Sequence, residues 1–109
     1  MFTLVMHGEV RDELVVLPAS VQGKIIRQLD KLRQNPTALR APDTKPLGNG
    51  LFEIRTVGFF NIRGIYVYRH GRIIWLLRVF VKKTQKTPAA ELALAIRRLK
   101  EMQDEQENH

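Results

Sequence analysis

Leu51-Phe52-Glu53-Ile54-Arg55-Thr56-Val57, then Phe59 to Tyr68 ending in Ile62-Arg63-Gly64-Ile65-Tyr66-Val67-Tyr68, then Arg72-Ile73-Ile74-Trp75-Leu76-Leu77-Arg78-Val79-Phe80-Val81 follow one another in this chain. All three stretches are rich in branched and aromatic residues, with Gly58 and His70-Gly71 as breaks, so each reads as a strand. The short Arg69-His70-Gly71-Arg72 connection is of hairpin type, and the three strands are expected to form an antiparallel meander. Alternation places Trp75, Leu77, Val79 and Val81 on one face and Ile74, Leu76, Arg78, Phe80 and Lys82 on the other. The first set is the expected core face and the second the open one. In the first strand Glu53 and Arg55 share a face, and a bulge near Gly64 is expected to set the phase of the middle strand.

Outward from this block, Phe2 to His7 reads as a short strand. A helix is expected over Glu9 to Leu17 and another from Pro18 to Gln34, because Pro18 suits the first turn of a new helix and Asn35-Pro36 ends it. The buried stripe of the second is Val21, Ile25, Leu29 and Leu32, leaving Lys24, Gln28 and Lys31 outside. Residues 37–50, with Pro42, Pro46, Gly48 and Gly50, have loop composition and end in an Asn49-Gly50 turn. Thr87 as N-cap and Pro88 as first helical residue open a last helix, whose stripe is Leu92, Ala95, Ile96, Leu99 and Met102. The polar tail 103–109 is expected to fray. The fold class is α+β, in one domain over 1–109.

Charge is distributed unevenly. Residues 38–87 hold ten Lys or Arg against two acids, a balance of +8, whereas the remaining residues sum to −1. A single sign of charge on the strand-rich part suits a polyanion, and nucleic acid is the first candidate. Arg55, Arg63, Arg78, Lys82, Lys83 and Lys86 with one tyrosine on a shared face would bind an RNA backbone and stack a base. The competing reading of such cations is a solvated, edge-protecting sheet face. The chain has no cysteine, so neither disulfides nor thiolate metal sites are expected. His7, His70 and His109 are scattered, and no metal or other cofactor is expected. The first residues lack the basic region of a secretory signal and Ile73 to Leu77 is too short to span a bilayer, so the expectation is a cytoplasmic protein that does not engage a membrane.

Gly50-Leu51-Phe52-Glu53-Ile54-Arg55, Ile62 to Tyr68 and Phe80-Val81-Lys82-Lys83-Thr84-Gln85-Lys86-Thr87-Pro88 together resemble the RelE/HigB superfamily of bacterial toxins, most of all its phage-derived HigB-like branch. The glycine-led arginine strand, the arginine-and-tyrosine strand and the "FxKKTQKTP" junction occur there in this order. The "VRDELxxLP" sequence of Glu9 to Pro18 also looks like the family's first helix, and the resemblance spans roughly residues 2–102. It implies two N-terminal helices packed on a small, mainly antiparallel sheet, with a C-terminal helix. The function implied is that of a type II toxin, a ribosome-dependent, metal-independent endoribonuclease that cuts mRNA and is held inactive by a helix-turn-helix, HigA-like antitoxin. By resemblance Arg55 and Arg63 bind the scissile phosphate, Lys82 and Lys83 stabilise the transition state or exchange protons, and Tyr68 stacks a base or donates a proton. Arg78, Lys86 and Lys45 are RNA-backbone contacts. The general base is expected to be a lysine of lowered pKa, with Glu53 or Tyr68 behind it. The rival functions are a ParE-like inhibitor of DNA gyrase and a non-catalytic RNA-binding regulator.

Overall fold

The computed structural model describes residues 1–56, 61–83 and 86–107. Residues 57–60 of the expected strands and their Gly58 break, Thr84-Gln85 of the junction and Asn108-His109 of the tail lie outside the described residues. Among the described residues, five strands and three helices follow in the order β1 (Thr3–Met6), α1 (Val10–Val15), α2 (Ala19–Gln34), β2 (Thr44–Gly48), β3 (Leu51–Arg55), β4 (Ile62–Arg69), β5 (Ile73–Val81) and α3 (Ala89–Glu107). A short 3₁₀ turn, Pro36–Ala38, follows α2. The sheet order is β1-β5-β4-β3-β2, antiparallel throughout except for β1, which lies parallel to β5. The α+β class and the meander β3-β4-β5 are therefore as expected, and the sheet is wider by one strand at each edge.

The strand at the far edge, β2, falls in the segment expected to be a loop. It pairs with β3 through a Gly48-Asn49-Gly50-Leu51 turn in which Asn49 (φ 55°) and Gly50 (φ 78°) are both left-handed. That is the geometry an Asn-Gly hairpin requires. Pro46 is tolerated because an edge strand needs its N–H on one side only.

Both faces of the sheet are covered. On one, α1 and α2 bring Val10, Val21, Ile25, Leu29 and Leu32 against Ile54, Ile62, Tyr66, Ile74, Leu76 and Val79. On the other, Ala95 and Met102 of α3 pack on Leu51, Ile65, Val67, Trp75, Leu77 and Phe80. The expected open face carrying Ile74 and Leu76 does not exist, since both side chains are fully buried. The α1 and α2 helices cover that face, and a bulge redistributes the residues beyond it. Ile65 pairs with Arg78 but Tyr66 with Leu76, so the extra residue sits on β5 rather than near Gly64 on β4. Beyond it the alternation of β5 inverts, sending Val79 to the α1/α2 side and Phe80 to the α3 side. Gly64 instead allows close packing, because a Cβ there would stand 3.0 Å from Ile54 Cγ2 and 3.3 Å from Leu76 Cδ1.

The helices depart from expectation in four places. Pro88 rather than Thr87 occupies the cap of α3, its carbonyl accepting from the Glu91 and Leu92 N–H groups. The helix continues through Gln103 to Glu107, the stretch expected to fray, and Ile96 of the expected stripe is exposed. Gln28, expected outside, is buried and joins α2 to the end of β3.

Candidate functional site: a cationic cluster around a buried carboxylate

Cross-strand register decides which cations meet. Lys45, Glu53 and Ile65 lie abreast on β2, β3 and β4, and Arg55, Arg63 and Phe80 lie abreast on β3, β4 and β5. Directly opposed residues share a face. All of these face the α3 side, where Glu53, Ile65, Arg63 and Phe80 are buried and Lys45 and Arg55 are partly exposed. Lys82 follows β5, its N–H donating to the Asn61 carbonyl at 2.6 Å, and its side chain returns to the same face.

Glu53 stands at the centre with no exposed surface. Its Oε1 has Arg55 Nη2 at 3.4 Å, Arg63 Nε at 3.4 Å and Lys82 Nζ at 4.0 Å, while its Oε2 accepts the Thr87 hydroxyl. One carboxylate therefore faces three cations, leaving a local excess of positive charge in a partly desolvated place. Arg55 Nε and Arg63 Nε are buried without a hydrogen-bond partner among the described residues. Unpaired buried donors of this kind are costly unless an anion completes them.

The electrostatics follow from burial. Lys82 is held below the ordinary lysine range by desolvation, opposed by Glu53 and reinforced by Arg63, Lys45 and Arg55. Burial likewise lowers Arg63, with Arg55 adding repulsion and Glu53 opposing. Arg55 is fixed through its backbone: its N–H donates to the Asp43 carbonyl at 2.9 Å, and its own carbonyl accepts from Gln28 Nε2 at 2.8 Å. The Gln28 amide also donates to Asp43 Oδ1 at 3.0 Å.

Among the expected site residues, Arg55, Arg63, Lys82 and Lys45 are thus brought together, and Lys83 is exposed immediately beyond Lys82. Lys86 is exposed just before Thr87. Two others stand elsewhere. Tyr68 lies on the opposite face, in an aromatic group with Phe2, Phe52 and Tyr66, because it shares parity with buried Tyr66 rather than with Arg63. The Tyr66 phenol is driven well above its ordinary range by burial, with Tyr68 contributing. Arg78 is not a free backbone contact. Its guanidinium bonds Glu13 at 2.6 Å and Glu91 at 3.0 and 3.1 Å, while Glu13 also pairs with Arg98 at 2.7 Å and accepts the Val79 N–H. Arg78 therefore ties the β5 bulge to α1 and α3.

In sequence Thr87 reads as a helix cap, Glu53 only as a reserve base, and Gln28 as surface. A signal for Glu53 is present all the same, since it is the one acid within the strand motifs, on the same parity as Arg55. His7 is held by structure: its Nδ1 accepts the Glu9 N–H, leaving Nε2 to donate to Glu101 at 3.2 Å. Among the described residues no helix is long and apolar enough to cross a membrane.

The same fold occurs in solved toxin structures. A free-state arginine-to-alanine double mutant of the Escherichia coli toxin RelE aligns with a TM-score of 0.67 at 13% identity, covering 89% of this chain and 96% of that one. RelE in the intact E. coli RelBE toxin-antitoxin complex gives 0.63 at 15%, over 77% of this chain and 100% of that one. The archaeal RelE-RelB complex of Pyrococcus horikoshii gives 0.58 at 21%, over 75% and 96%. No curated protein sequence matches the chain. Residues 12–100 match the family described as phage derived protein Gp49-like, and this match covers α2, the larger part of α1 and α3, the meander and the whole cationic cluster. The chain therefore belongs to the phage-derived Gp49-like family, within the RelE/HigB toxin superfamily.

Proposed function

We propose that this protein is the toxin of a type II toxin-antitoxin pair and acts as a metal-independent endoribonuclease on mRNA in the ribosomal decoding site. The observation that carries this reading is the cluster of Arg55, Arg63 and Lys82 around Glu53, with the Nε–H groups of both arginines buried and without a hydrogen bond among the described residues. A phosphodiester oxygen has the charge that such donors call for.

The chemistry needs only the RNA and these side chains. The ribose 2′-oxygen attacks the adjacent phosphorus while the bond from phosphorus to the 5′-oxygen breaks, giving a 2′,3′-cyclic phosphate and a 5′-hydroxyl end. Arg55 and Arg63 hold the non-bridging oxygens and offset the charge that develops on them. Lys82, with its lowered pKa, takes the 2′-hydroxyl proton, and the exposed Lys83 ammonium supplies one to the leaving oxygen. Lys45 and Lys86 flank the cluster as backbone contacts. Tyr68, on the other face, has no part in the reaction, and Arg78 acts only in holding the fold.

The partner would be a cognate antitoxin, as RelB is for the RelE proteins of similar fold, here of the helix-turn-helix, HigA-like kind. The protein would act in the cytoplasm, where translating ribosomes are. Purified protein added to ribosomes programmed with a defined message tests the reading. Cuts carrying 2′,3′-cyclic phosphate ends, lost in Arg55→Ala, support it, and intact message at saturating protein overturns it.

A further inference from the structure

The hydroxyl of Thr87 connects the segment leading into α3 to the carboxylate at the centre of the cationic cluster. It occupies Oε2 of Glu53, and all three cations are left with Oε1, at 3.4, 3.4 and 4.0 Å. These are long contacts for charged partners, whose hydrogen bonds are ordinarily well under 3 Å. A carboxylate free to turn would form a paired, two-oxygen bond with Arg55 or Arg63, which is the geometry a guanidinium prefers. The arrangement present instead neutralises part of the cluster's repulsion without satisfying any one cation.

We infer that Thr87 is a positioning residue that locks the Glu53 carboxylate edge-on to the cluster, so that Glu53 serves as a shared counter-ion and Arg55 and Arg63 stay available to a phosphate. This rests on the nuclease reading for its ligand but not for its geometry. Glu53 must be close enough to hold three like charges together before RNA arrives, yet must not compete with the phosphate for their donors. A threonine hydroxyl on the second oxygen achieves both, because it fixes the carboxylate without adding charge. The arrangement also makes the site depend on where α3 begins. Pro88 caps that helix, and Thr87 immediately before it reaches Glu53.

The test separates positioning from cleavage by using a short 2′-O-methyl RNA oligonucleotide, which binds but has no nucleophile, and the ¹⁵Nε resonances of Arg55 and Arg63 in the ligand-free protein. In Thr87→Val the carboxylate turns onto a guanidinium. The arginine resonances are then expected to shift and oligonucleotide affinity to fall about tenfold, the size expected for losing one charge-assisted hydrogen bond. Thr87→Ser, which keeps the hydroxyl, restores both. Unchanged resonances and affinity in a folded Thr87→Val overturn the inference. Should Thr87→Val not fold, Thr87→Ser decides: binding within about twofold of wild type supports the hydroxyl's role, and lost binding in a folded Thr87→Ser overturns it by making the methyl the working group. A wild type that binds the oligonucleotide but never cuts message sinks the nuclease reading alone, while the arginine resonances still judge the position of Glu53.

Discussion

A lysine placed beside a buried glutamate and two arginines lives under opposing forces, and burial wins, leaving Lys82 with a lowered pKa. The sign fixes a stability prediction. Between its depressed folded value and the ordinary lysine value, Lys82 binds fewer protons folded than unfolded, so its contribution to stability rises with pH across that window. Denaturant melts from neutral pH up to about 10 are therefore expected to show wild type gaining on Lys82→Met as pH rises. Tyr66 is present in both proteins and cancels. A flat difference would mean that Lys82 is not desolvated. For activity, Arg55→Ala should lower the cleavage rate by about 10²–10³, the cost of removing one donor to a developing oxyanion, with the melt showing a smaller change. The residues of this site are partly legible in sequence because parity along β3 puts Glu53 and Arg55 together. Thr87 is not, because a Thr-Pro pair before a helix signals a cap equally well, and only the tertiary path of α3 sends its hydroxyl to Glu53 instead.

Strand register is an element-scale matter, and here one extra residue on β5 governs it. Sequence parity continued unchanged through Leu77 and Arg78 puts Ile74, Leu76, Phe80 and Lys82 on one face, whereas the bulge divides them between two covered faces. Period-two reasoning has no local sign of such a bulge, since neither Leu77 nor Arg78 is a glycine. What holds it is distant in sequence: Glu13 accepts the Val79 N–H, and Arg98 donates to the Leu77 carbonyl. The middle of the sheet is correspondingly intolerant. A Cβ on Gly64 would press on Ile54 and Leu76, both fully buried. Gly64→Ala is expected to cost about 1–3 kcal/mol in denaturant unfolding, as overpacking usually does; a neutral result would show that the two side chains have room. The edge strand β2 is hidden in sequence for another reason. Prolines and few apolar positions are what a protected edge looks like, and also what a loop looks like. Only the Asn49-Gly50 pair carries a signal specific enough to survive.

At the scale of the whole molecule, two charge clusters divide the labour that composition alone lumps into one basic segment. Arg78 with Glu13, Glu91 and Arg98 binds α1, β5 and α3 to one another, and Arg55, Arg63 and Lys82 with Glu53 leave cationic capacity unspent. Removing the central member of the first should therefore damage the fold rather than the chemistry. Arg78→Met is expected to lose about 3 kcal/mol of stability by leaving two acids under-paired in a mostly buried place, while the folded fraction cuts normally. The second cluster should make RNA binding steeply salt-dependent. With three to five phosphates neutralised, log K against log salt would fall with a slope of roughly −2 to −3.5. Net charge points to a polyanion, but not to which cations face it, because that is settled by the sheet's register and by where α3 begins. Ribosome-dependent cleavage is tested most directly by mapping messenger 5′ ends in a bacterial host after induction of wild type and of Arg55→Ala, with gyrase supercoiling followed in parallel. Growth arrest with new 5′ ends inside translated messages, absent in Arg55→Ala, and normal supercoiling are the expected result. Arrest with intact messages and inhibited gyrase would contradict it.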